Sequence, residues 1–299
     1  MTTVVDAYPS RVAAEPSVTE RTEPVIHHPA GIESPGPASR EALVEFERDG
    51  FMVMESVFSP AEMDACLDEL AALGRDPEVR QAPETIIEPT SEAIRSVFAV
   101  HNTNRVFADL AGDRRLVDIA EQILGSQVYV HQSRVNLKPA LIGEPFFWHS
   151  DFETWHVEDG MPSMRAVSAS VALTDNTEFN GPLMLIPGSH RWFVSCVGET
   201  PDRHYETSLR RQQIGTPDDD NLAWMVSSGG IVAPKAKRGS VIFFDCNTLH
   251  ASGVNLAPAP RSNAFFVYNS VENEVGEPFG GPAPRPEFLA SRDTIRTLR

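Results

Sequence analysis

The texture of this chain changes at Ser126, and that change constrains the fold more than any other feature. Before it, apolar residues recur at helical spacing; after it, short apolar runs are separated by Gly, Pro, Asn and Asp. Many short strands after a helical opening predict a mainly β protein with flanking α-helices, built as a jelly-roll-like barrel with the helices packed outside. Strands are expected at 127–138, 144–151, 165–174, 182–187, 230–234, 240–246 and 262–270. Leu43 and Phe46 begin a helix that ends at Gly50, and a short strand follows at 51–54. The next helix is well announced. Ser59 is its N-cap, Pro60 its first residue and Glu62 the partner in a capping box, with Met63, Cys66, Leu67, Leu70 and Leu73 buried before Gly74. A further helix over 113–124 buries Leu116, Ile119, Ala120 and Ile123. Residues 1–38, rich in Pro, Ser, Thr, Glu and Ala, are expected to form a disordered or loosely draped tail, and 39–299 a single domain. Residues 197–228 are expected as a long insertion loop tucked down by Trp224.

Charge and cysteine usage narrow the function. A net charge of −17 argues against nucleic acid or an anionic membrane surface as partner. The 3 cysteines are scattered and form no CxxC pair, so no disulfide framework or zinc knot is indicated. No apolar run reaches the ~18 residues of a membrane span, and the N-terminus lacks a signal layout. A cytoplasmic protein is the expectation.

Chemistry concentrates around Trp148-His149-Ser150-Asp151 and a distant His250. Side chains two apart leave one face of a strand, so His149 and Asp151 would point together. With His250 they would form a 2-His-1-carboxylate face, the set that leaves positions open on Fe(II) in non-haem oxygenases. On strand 127–138, Gln132, Arg134, Asn136 and Lys138 share a polar face that would line a barrel lumen. Arg261, eleven residues after His250 and near Ser252 and Asn263, could hold a carboxylate with its planar fork. His156 and His190 read as structural, and His27, His28, His101 and His204 receive no role.

Around these residues the sequence resembles the ectoine hydroxylases, a branch of the phytanoyl-CoA-hydroxylase-like Fe(II)/2-oxoglutarate dioxygenases. The resemblance runs from Phe147 to Pro162, through Asn180-Gly181-Pro182-Leu183 and Ile186-Pro187-Gly188-Ser189-His190, and spans residue 39 to the C-terminus. It implies a double-stranded β-helix (cupin-like) core, iron on His149, Asp151 and His250, and 2-oxoglutarate and O₂ as co-substrates. It further implies 2-oxoglutarate on Asn136, Phe146, Ser252 and Arg261, and ectoine among Gln132, Arg134, Trp155, Phe244, Asn263 and Phe265. The product would be 5-hydroxyectoine, a compatible solute, and a homodimer is implied as well. Two rival readings are a hydroxylase of proline or another small zwitterion, and a non-catalytic barrel that binds a metal or small molecule. A panel of substrates read by mass for a product heavier by one oxygen separates the first rival, and absence of O₂ consumption with iron and 2-oxoglutarate would favour the second.

Overall fold

The computed structural model describes residues 6–88, 91–210, 212–293 and 295–298. In chain order, β1 (Val18–Glu20) precedes α1 (Arg40–Asp49), β2 (Phe51–Met54), α2 (Pro60–Arg75) and α3 (Pro77–Gln81). The Ser59–Glu62 capping box forms, but α2 runs one residue past Gly74 and is capped by Asp76. Next come β3 (Thr85–Ile87), β4 (Ile94–Phe98), α4 (Val100–Thr103), α5 (Arg105–Ala111) and α6 (Arg114–Leu124). The strand-rich half follows with β5 (Val128–Lys138), β6 (Phe146–His149), α7 (Asp151–Asp159), β7 (Ala166–Ala172), β8 (Leu183–Leu185) and β9 (Trp192–Val194). It closes with α8 (Tyr205–Ser208), α9 (Asp219–Gly229), β10 (Val241–Asp245), β11 (His250–Ser252) and β12 (Arg261–Ser270).

Seven strands form one sheet in the order β2-β10-β7-β12-β5-β4-β3, and three form another in the order β6-β11-β8, every pairing antiparallel. This is the jelly-roll core with helices on its outside. Leu43, Phe46, Met63, Phe107, Leu116 and Ile123 of the helices join Val135, Val171, Phe243 and Phe266 of the large sheet in one buried cluster. Because side chains alternate along a strand, Gln132, Arg134 and Asn136 face the other way, into the barrel. Gly50 ends α1 at φ +83° against the His190 ring, so a side chain there would be strained and would collide. Among the described residues no helix is long and apolar enough to cross a membrane.

Several expectations need correction. The N-terminal segment is not a loose tail from residue 6 onward. Tyr8 is buried and packs its ring edge-on against Phe152, centroids 5.5 Å apart. β1 pairs with β9, and Arg11 forms buried ion pairs with Glu153 (2.7 Å) and Glu158 (2.6 Å) of α7. The segment is held by ion pairs and single aromatics, which leave no periodic apolar trace. The expected strand at 230–234 is only one bridge, Val232 to Leu185. The expected loop 197–228 carries α8 and α9, and Trp224 is 41% exposed while its ring meets Trp192 edge-on. The strand expected over 144–151 breaks after His149 into α7.

Two stability predictions arise from this packing. Arg11→Ala leaves two carboxylates buried without their cation and should cost roughly 3–5 kcal/mol. Glu158, drawn down to about 2 by His204, Arg285 and Arg11 against the cost of burial, would have to be desolvated with less support. Urea unfolding measures it, and an unchanged midpoint would show that these ion pairs do not hold the segment. The second concerns pH. Burial pushes His190 down to about 4, and His27 and His101 likewise. The unfolded chain then binds more protons than the folded one between about pH 6.5 and 4. Stability is therefore full above 6.5 and falls as pH drops through that window, by at most about 1.4 kcal/mol per pH unit per histidine. Unfolding midpoints measured at steps from pH 7.5 to 5 should decline; a flat profile contradicts neutral buried imidazoles.

Candidate metal centre

His149 ends β6 and His250 opens β11, and the two are directly paired across the small sheet. Asp151 arrives differently from the expectation. It is the first residue of α7, not a strand neighbour of His149, and the turn at Ser150 swings it back toward the histidines. Ser150 donates to Asn247 Oδ1 (2.9 Å), and Phe152 N donates to Cys246 O (2.8 Å), which pins that turn to the chain before β11. One ligand atom from each of His149, Asp151 and His250 lies within 4.8 Å of the others.

The imidazoles are oriented by the backbone. His149 Nδ1 lies 2.7 Å from Phe147 O and His250 Nδ1 2.9 Å from Thr248 O. A carbonyl only accepts, so each Nδ1 carries a proton and each Nε2 is turned toward Asp151. Those Nε2 atoms stand 3.7 and 3.8 Å from the two oxygens of Asp151. Burial, and then His149, push His250 down to about 4. Burial alone would raise the Asp151 carboxyl, yet His250, His149 and Arg134 draw it well below the ordinary carboxylate range. His250 is thus neutral and Asp151 ionised, the deprotonated forms in which such side chains bind a divalent cation. Asp151 Oδ2 is buried without a hydrogen-bond partner, the mark of a ligand oxygen awaiting an ion. These residues fit Fe(II).

Beside the trio lies a cavity open at its mouth. Of the residues assigned by resemblance, Gln132, Arg134, Asn136, Phe146, Trp155, Ser252, Arg261 and Phe265 line it. Arg134 donates to Gln132 Oε1 and lies over the Phe265 ring at 4.9 Å, while Gln132 donates to Leu289 O (2.7 Å). Ser96 donates to Asn136 Oδ1 (2.8 Å). Arg261 donates to Gly181 O; its Nε has no partner, and burial pushes the guanidinium down to about 10.

Phe244 and Asn263 do not line the cavity. Phe244 packs beneath His250, ring centroids 5.0 Å apart, and Asn263 donates to Ser170 Oγ (3.0 Å) within the sheet. They support the site from behind. Conversely, His204, Ser208, Leu209 and Gln212 of the expected loop do line the mouth, and His204 bonds Glu158 at 2.8 Å. Arg285 lines it too, clamped by both oxygens of Asp159. No motif announces it: it follows a Pro-rich stretch and is recruited only by the fold. His156 is structural as expected, bonded to Met161 O and Asp6. Cys66 is a core thiol pushed up to about 11 by burial.

A family model described as phytanoyl-CoA dioxygenase (PhyH) matches residues 46–263, which include the whole trio. The chain belongs to the PhyH family. Within that family it is 50% identical over 294 residues to an ectoine dioxygenase of Bordetella bronchiseptica, covering 98% of this chain and 95% of that protein. It is 49% identical over 292 residues to the ectoine dioxygenase of Streptomyces coelicolor, covering 98% and 97%. Among solved structures, the EctD of S. alaskensis with 2-oxoglutarate and 5-hydroxyectoine superposes with a TM-score of 0.88 at 46% identity, covering 98% and 97% of the two chains. The likeness therefore reaches almost the full length and takes in most of the first 38 residues, which the sequence reading left outside it. The epimerase SnoN superposes with a TM-score of 0.62 at 20% identity, a likeness of fold alone.

Proposed function

We propose that this protein hydroxylates ectoine to 5-hydroxyectoine with O₂, converting 2-oxoglutarate to succinate and CO₂. The observation that carries the reading is the His149–Asp151–His250 face opening into the same cavity as a buried Arg261 whose Nε has no partner. A metal alone would need no such cation; an anionic co-substrate does. The atoms balance: one oxygen of O₂ enters succinate and the other the hydroxyl.

His149, Asp151 and His250 would hold Fe(II), which when bound supplies the O₂-activating redox chemistry. Arg261 takes the far carboxylate of 2-oxoglutarate, with Ser252 and Asn136 offering hydrogen bonds and Phe146 an apolar wall. Ectoine is a small ring with a delocalised cation and a carboxylate. Trp155 and Phe265 present aromatic surfaces for the cationic ring, and Gln132, Arg134 and Arg285 offer donors for its carboxylate. His204, Ser208, Leu209 and Gln212 narrow the mouth and limit water. A cytoplasmic setting agrees with three buried, unpaired cysteines.

The deciding experiment is succinate release by iron-loaded protein with and without ectoine, with the organic product read by mass. Ectoine-dependent succinate and a product heavier by one oxygen are expected. Equal succinate in both arms, or turnover with proline in place of ectoine, would overturn the substrate.

A further inference from the structure

Arg11 has no part in the proposed function, yet the fold goes to some length to place it. It holds φ +59°, a left-handed conformation that side chains disfavour and that persists only where the surroundings require it. Its guanidinium is fully buried. Nε and Nη2 donate to the two carboxylate oxygens of Glu153 (2.9 and 2.7 Å), and Nη1 donates to Glu158 Oε1 (2.6 Å). Those bonds would fasten the N-terminal segment to α7 and nothing more. The remaining contacts reach a third element, the chain after β9. Nη1 also donates to Thr200 Oγ1 (3.2 Å), and the Arg11 amide donates to Cys196 O (2.8 Å). Farther along, Gly215 closes over the guanidinium. At its φ of +77°, a Cβ there would stand 2.5 Å from Arg11 Nη2 and 2.8 Å from Glu153 Oε2, so only a residue without a side chain fits. His204 Nδ1 is 2.8 Å from Glu158 Oε1, the same oxygen that accepts from Arg11.

One buried side chain thus meets this stretch at both ends. Between Thr200 and Gly215 lie His204, Ser208, Leu209 and Gln212, the residues that line the mouth of the cavity. Gln212 donates in turn to Gly215 O (3.2 Å). The stretch is mostly polar and only partly covered, so without a peg it would sample many conformations. We infer that Arg11 is a positioning residue for the ectoine pocket: it pegs this stretch at both ends and so holds the mouth in the form that binds substrate. The inference deepens the function proposed above and rests on it. The two metal histidines and Arg261 stand on β6, β11 and β12, away from the stretch, so 2-oxoglutarate should be held as before.

The test is calorimetry on the Fe(II)-loaded protein without O₂, with 2-oxoglutarate titrated first and ectoine into the complex it forms. Limited trypsin digestion runs beside it, because Arg203 and Arg210 are exposed within the stretch and report how firmly it is held. Arg11→Gln should weaken ectoine about 10-fold, as expected when the competent mouth is populated only about a tenth of the time. It should leave 2-oxoglutarate within about 2-fold, as for a distant, independent site. Cleavage after Arg203 and Arg210, read by mass, should quicken. Gly215→Ala keeps Arg11 and both glutamates while displacing one end of the stretch. It should act in the same direction, and it serves if Arg11→Gln does not fold. Equal weakening of both ligands would mean that Arg11 acts through α7 on the whole site. Weakened ectoine with unchanged cleavage would mean that something else holds the stretch. Either result overturns the inference. Parent protein that binds 2-oxoglutarate and not ectoine would instead overturn the proposed substrate, while quicker cleavage in the variants would still place the stretch on Arg11.

Discussion

Asp151→Ala is expected to abolish hydroxylation while leaving the metal-free protein as stable as before, or more so. Loss of an outer hydrogen-bond partner costs a metal site about 10- to 100-fold in affinity, and loss of a ligand that also carries the only negative charge of the trio should exceed that. The stability half of the prediction follows from the orphaned Oδ2: in the absence of a cation, Asp151 is a buried carboxylate with one oxygen unsatisfied. Its replacement removes the cost of a desolvated charge together with that charge's interactions with His250, His149 and Arg134. Two measurements check it, Fe(II) or Co(II) binding by calorimetry and urea unfolding without metal. Retained metal affinity would exclude Asp151 as a ligand. A large drop in metal-free stability would mean that it serves the fold instead.

The histidines of this site were legible in the sequence because each follows directly on an obvious apolar run, His149 at the end of β6 and His250 at the start of β11. The helix that brings Asp151 was not. In α7, nearly every residue is buried, including Phe152, Glu153, Trp155, His156, Val157, Glu158 and Asp159. A helix covered on all sides has no polar stripe, so its period disappears from the sequence. The same cause hid the N-terminal segment: its anchors, Tyr8 and Arg11, are partners of α7 and acquire meaning only once that helix exists. β4 was missed because its Arg95 and Ser96 are buried polar residues that break strand alternation. On β12 the error is finer. Arg261, Asn263 and Phe265 share one face, but Asn263 is drawn down onto Ser170, and only its two neighbours reach the cavity. Period gives the face; hydrogen bonding decides who stands up from it. Arg285 and His204 had no local signal at all, since their roles depend on Asp159 and Glu158 turning toward them from α7.

Arg261→Met should be nearly as damaging to activity as loss of a metal ligand, for a different reason. Among the described residues, the hydrogen-bond partner of Arg261 is a backbone carbonyl, Gly181 O, and not a carboxylate. Arg261 is 3% exposed, and its shift to about 10 comes from burial with no opposing charge. A buried cation of this kind is a cost to the empty fold, and it is recovered when an anion binds. Truncating one partner of a desolvated, hydrogen-bonded charge pair costs about 2–5 kcal/mol in binding, or roughly 30- to 4,000-fold in 2-oxoglutarate affinity. Ectoine affinity should move far less, since its expected contacts are on Gln132, Arg134, Trp155 and Phe265. Arg261→Lys keeps the charge but loses the planar fork, so it should recover only part of the affinity. Without ligand, the Met variant should unfold at the same urea concentration as the parent or a higher one. Calorimetry with each ligand and urea unfolding decide the matter together. Weakened 2-oxoglutarate binding with undiminished apo stability identifies a residue kept for its ligand. Undiminished 2-oxoglutarate binding with a collapsed midpoint would make Arg261 a prop of the barrel and return the far carboxylate to Ser252 and Asn136 alone.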